Sequence, residues 1–118
     1  MHTGSYQELT QAISQNLKPL RAGMPQLMQG FGALSKAAMA AGTLDPKTKE
    51  LIALAIGVAT RCDGCIGFHT QALAHLGATD AEVQETLGVA IYMGGGPSLM
   101  YAASALAAFG EVQARQAA

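Results

Sequence analysis

A chain of 118 residues and 12.1 kDa has room for one ordinary hydrophobic core and not for two, so it is read as a single domain over 1–118. Half the residues are hydrophobic, 13% are charged and 5% are aromatic, which excludes a disordered chain and leaves Ala, Leu, Ile, Val and Met to build the core. The formal net charge is −1 and the seven Lys and Arg are scattered; without a basic stripe to neutralise phosphates, no nucleic-acid partner is expected.

The stretch from Met1 to Glu8 has neither a basic start nor an apolar run, so no secretory signal is read and a reducing, cytoplasmic setting is expected. Ser5 followed by Glu8 is a capping-box pattern and predicts a helix start. Leu9, Ile13 and Leu17 then form one stripe, and Pro19 is expected to stop or bend the helix. Pro25 suits the first turn of a second helix with Leu27, Phe31, Leu34 and Ala38 facing inward and Gly42 past its end. Asp45-Pro46 opens a third, carrying Leu51, Leu54 and Val58.

Arg61 to Gly64 reads as a turn into a fourth helix, whose apolar side holds Cys65 or Ile66, His69, Leu73 and Leu76 before Gly77 ends it. Thr79 and Glu82 form a second capping box, opening a fifth helix with Val83, Leu87 and Ile91 on one face. Gly94-Gly95-Gly96-Pro97 separates this from a last helix running to about Arg115. With no alternating strand pattern, the expected fold is all-α, with about six helices. From Thr86 to Gly110 there is no charged residue, yet the glycines and proline break the run of about 20 apolar residues that a membrane span needs. No membrane partner is expected. Helices apolar nearly all round need covering, which favours a homo-oligomer.

Cys62-x-x-Cys65 is too small a set for a disulfide framework and points to redox or metal chemistry. The attacking species in thiol chemistry is the thiolate, and an ordinary cysteine with a pKa near 8.5 is mostly protonated at neutral pH. The start of a helix supplies unpaired N–H groups and a positive dipole end that favour the anion. His69 follows Cys65 by four positions, one turn on and on the same face, placed to take or hold its proton. Cys65 is therefore the expected nucleophile and Cys62 the partner that closes a disulfide. Glu50 lies twelve positions before Cys62, about 18 Å away along one straight helix. It joins the site only if the chain reverses near Arg61 to Gly64 and the third and fourth helices pack side by side, bringing it to His69.

A zinc site would need further ligands, and His75 stands about 240° round the helix from His69. No metal and no cofactor are expected, and His75 is read as a cation at a helix end. Two inert buried thiols are the plainest alternative, against which Glu50 and His69 argue.

The order Glu50, eleven residues, Cys62-Asp63-Gly64-Cys65, three residues, His69 resembles the alkyl hydroperoxidase D-like branch of the carboxymuconolactone decarboxylase family, over roughly residues 46–110. The resemblance implies a small helical bundle, assembled as a hexamer for single-repeat chains or a trimer for two-repeat ones. It also implies a catalytic set of Glu50, Cys62, Cys65 and His69 that reduces hydroperoxides or disulfides, with an external dithiol, such as a lipoyl-type donor, restoring the thiols. Gly64 stands where the best-known member has a histidine, so that auxiliary proton carrier is absent. A lactone decarboxylase and a non-catalytic redox sensor are the alternatives; decarboxylation has no need of two thiols.

Overall fold

The computed structural model describes residues 2–118. Six helices follow one another: α1 (Tyr6–Gly23), α2 (Pro25–Met39), α3 (Pro46–Ala59), α4 (Asp63–His75), α5 (Asp80–Gly94) and α6 (Gly96–Ala117). Among the described residues there is no strand, in keeping with the expected all-α six-helix bundle. Among the described residues no helix is long and apolar enough to cross a membrane.

The predicted starts are occupied by the residues whose side chains can satisfy orphan N–H groups. Ser5 Oγ accepts from Glu8 N–H at 3.0 Å, and Asp45 Oδ1 accepts from Thr48 N–H at 2.7 Å. The full reciprocal box forms at α5, where Thr79 Oγ1 accepts from Glu82 N–H and Glu82 Oε1 accepts from Thr79 N–H. Lys47 ties that start to α3 through Glu82 at 2.8 Å.

Leu54, Val58, Ile66, Leu73, Val83 and Phe109, from α3, α4, α5 and α6, are fully enclosed. Each such side chain contributes about 1.5–3 kcal/mol relative to exposure, so these four helices form the core. α1 lies across α4, while α2 touches only α1 and α3.

Two expectations fail, and at Pro19 one of the two expected outcomes is excluded: the helix does not stop there but continues to Gly23. Gln15, whose carbonyl loses its partner, is exposed, so water can take the place of the missing N–H. Leu27, Phe31 and Leu34 do not face inward; they are 60%, 66% and 65% exposed, Ala38 is exposed too, and α2 has no buried residue at all. The stripe is there but nothing within the chain covers it. Leu76 also points outward, because it is the C-cap of α4 and the chain turns away at Gly77.

Candidate active site

The chain reversal at the cysteines is built from backbone hydrogen bonds. Arg61 N–H donates to Val58 O at 3.2 Å and Cys62 N–H to Gly57 O at 2.9 Å, the pair of bonds that closes a Schellman motif. Gly77 ends α4 in the same way, with φ 78°, but at the end of α3 the left-handed position is held by Arg61, φ 59°. Sequence alone gave no sign of this, since arginine rarely adopts that conformation. Cys62 then serves two helices: it completes the end of α3 and is the N-cap of α4, its Sγ accepting from Cys65 N–H at 3.1 Å.

Cys62 and Cys65 are joined in a disulfide, with Cα atoms 5.2 Å apart. α3 lies close against them: a Cβ at Gly57 would stand 3.0 Å from Cys65 Cβ. A side chain at this position would press on Cys65 and force one of the helices to give, and that contact was not legible in the sequence. The close approach carries Glu50 to His69. With the ring proton on Nδ1, His69 donates to Glu50 Oε2 at 2.6 Å, directly and with no need of a bridging water. Glu50 is the more enclosed of the two, 15% exposed against 30% for His69, so the imidazole is the group nearer solvent. The bond engages Nδ1 and leaves the ring's other nitrogen, Nε2, outside it. Among the described residues no group of three His, Cys, Asp or Glu side chains is arranged to hold a metal ion.

The chain belongs to the carboxymuconolactone decarboxylase family. Residues 25–108 match it. A solved carboxymuconolactone decarboxylase family protein of Legionella pneumophila is 56% identical and superposes with a TM-score of 0.90, over 92% of this chain and 96% of that one. A Thermotoga maritima member, for which an antioxidative response has been suggested, is 32% identical with a TM-score of 0.71, over 75% of this chain and 92% of that one. An uncharacterized protein of Cupriavidus necator is 44% identical over 86% of this chain and 90% of its own length.

α1 lies outside the family match, yet it borders the disulfide turn. Its close fit depends on two glycines of α4: a Cβ at Gly67 would meet Thr10 Cγ2 at 2.6 Å, and one at Gly64 would meet Ile13 Cδ1 at 2.9 Å. The space beside Gly64 is thus filled by Ile13. Tyr6, buried at 5% exposure, donates from its hydroxyl to Asp63 Oδ1 at 3.3 Å, and its backbone N–H bonds both oxygens of Glu111 at 3.1 and 3.2 Å. Burial, opposed by a hydrogen bond with Ser104 and reinforced by the Asp63 and Glu111 carboxylates, pushes the Tyr6 phenol up to about 12. Sequence reading missed Tyr6 and Asp63 because 57 positions separate them.

Among the clefts elsewhere in the described residues, two contrast in their lining. One of about 330 Å³ runs between α1 and α4 and is lined by amides and hydroxyls such as Gln11, Ser14 and Gln71. The other, about 390 Å³, is an apolar groove lined by Leu51, Ile52, Ala55, Ile56 and Val89. Neither is lined by Glu50, Cys62, Cys65 or His69.

Proposed function

We propose that the chain is a cofactor-independent thiol peroxidase and disulfide oxidoreductase of the alkyl hydroperoxidase D-like kind. The observation that carries this reading is the disulfide at the start of α4, one turn before an imidazole already bonded to Glu50. The antioxidative response suggested for the Thermotoga maritima relative agrees with it.

In the reduced enzyme, the Cys65 thiolate attacks the terminal oxygen of a hydroperoxide. The O–O bond breaks, the sulfur becomes a sulfenic acid, and the leaving alkoxide takes a proton from His69 and departs as alcohol. Cys62 then attacks the sulfenic sulfur, forming the S–S bond and releasing water. An external dithiol reduces this disulfide through a mixed disulfide and is itself oxidised, restoring both thiols. Glu50 orients the imidazole and stabilises its charged form between these transfers. Cys65 is assigned the attack because His69 stands one turn beyond it on the same helix face.

A second copy of this chain is the expected partner. Supporting this are the uncovered faces of α2 (Leu27, Phe31, Leu34), α3 (Ile52, Ile56) and α5 (Val89, Met93), all of them large apolar side chains more than two-fifths exposed.

Loss of an organic hydroperoxide, followed with and without a lipoyl-type dithiol, tests the reading. Wild type should consume peroxide only with the dithiol present, and Cys65→Ser should fall to the rate of buffer alone. Equal rates for the two proteins above that of buffer would reject Cys65 as the nucleophile, and wild type no faster than buffer would reject the peroxidase.

A further inference from the structure

The two sulfurs share the first turn of α4 with a third acidic group that the scheme above leaves unused. Asp63 is the first residue of the helix, between Cys62 at the N-cap and Cys65 in the first turn. A carboxylate there is well placed for the helix dipole, but it draws on the same positive end that would stabilise a sulfur anion. When the disulfide opens, any thiolate forms in the same helix turn as an existing negative charge, which disfavours the ionised dithiol and so favours the closed bond.

Tyr6 modifies this charge from outside the family-matched segment. Its ring is packed against α4, with Gly67 leaving the space, and its hydroxyl donates to Asp63 while also sharing a hydrogen bond with Ser104. A donor to one carboxylate oxygen offsets part of that carboxylate's charge.

We infer that Asp63 biases the Cys62–Cys65 couple toward the disulfide, and that Tyr6, through its hydrogen bond to Asp63, weakens that bias. Tyr6 is in this sense a positioning residue, acting on the sulfurs only through the carboxylate. The inference builds on the proposed thiol chemistry but concerns the equilibrium of the couple, which exists whether or not a peroxide is turned over.

The full chain is equilibrated at pH 7 in glutathione buffers of varied ratio, where two glutathione thiols become one glutathione disulfide as the protein S–S bond takes up two electrons and two protons. The dithiol fraction is then trapped by alkylation and counted by mass. Asp63→Asn should move the equilibrium constant several-fold to tenfold toward the dithiol, a tenfold change being about 30 mV. Tyr6→Phe, which keeps the ring, should move it about twofold the other way. In the Asp63→Asn background the tyrosine change should do nothing. An unmoved constant in Asp63→Asn, or a Tyr6→Phe shift of the same size in both backgrounds, overturns the inference. Absent hydroperoxide turnover with these shifts intact would instead remove the peroxidase reading alone.

Discussion

α4 and α2 are drawn from much the same Gly-, Ala- and Leu-containing alphabet, yet they occupy opposite conditions. α4 packs against α1, α3 and α6, with Ile66, Thr70 and Leu73 fully enclosed. Along α2 no side chain is buried, and part of what holds it is Lys49, whose Nζ donates to Ala38 O at 2.9 Å and Ala40 O at 2.7 Å. A 15-residue helix is marginal on its own in water, so α2 owes its form to contacts rather than propensity. The difference teaches where precision resides. Around α4 position is set by contacts too close for a methyl group; around α2 an apolar stripe waits for a surface.

The same alanine should therefore act with opposite sign in the two helices. Gly67→Ala puts a methyl 2.6 Å from Thr10 Cγ2, and because threonine is stiff at χ1 the helix α1 must retreat. A loss of about 2 kcal/mol is expected, overpacking outweighing the gain in helix propensity. Gly32→Ala in α2 meets nothing within 4 Å, so the propensity term stands alone and stability should rise by about 0.5–1 kcal/mol. Urea midpoints of both variants check the pair; a stabilising Gly67→Ala would mean that α1 is not seated on α4 as described.

The α1–α4 contact should also be visible in alkali. Tyr6 is raised from an ordinary phenol near 10 to about 12. A raised pKa means that the folded state holds the phenol proton more tightly than the unfolded chain does. The stabilisation is thus fully present below pH 10 and is lost as pH climbs from 10 through 12. The loss should be on the order of 1–2 kcal/mol across that window. Denaturation series at pH 9 and 11 should separate wild type from Tyr6→Phe, whose decline must be shallower; parallel declines would show that the phenol is not held protonated by the fold.

How much of this could be read without coordinates follows from the range of each interaction. Ser5, Asp45 and Thr79 reveal helix starts because capping acts over three residues, and Gly77 reveals an end for the same reason. Glu50 and His69 required more: their meeting depends on α3 folding back on α4, which spacing permits but cannot demand. Residues that act by having no side chain, such as Gly57 and Gly67, leave no trace in a hydrophobic pattern, and neither does a bond from Tyr6 to Asp63 across the chain. Periodicity located the stripe Leu27, Phe31 and Leu34 correctly. It could not say whose surface the stripe meets, because an amphipathic helix looks alike whether its partner lies within the chain or beyond it.

That ambiguity yields the smallest effect on folding and the clearest on assembly. Phe31 is 66% exposed, so Phe31→Glu removes almost no contact inside one chain, and surface changes of this kind usually stay within about 0.5 kcal/mol. If a second copy covers α2, the same substitution buries a charge without a partner, and association should fail. Light scattering should then find wild type above 12.1 kDa and the variant near it, with a melting temperature that has lost its dependence on concentration. Wild type already at 12.1 kDa at micromolar concentration would mean that α2 keeps its apolar face in water, and the proposed homo-oligomer would have to be abandoned. A variant that unfolds outright would mean that the stripe supports its own chain, and the contrast between α2 and α4 would be false.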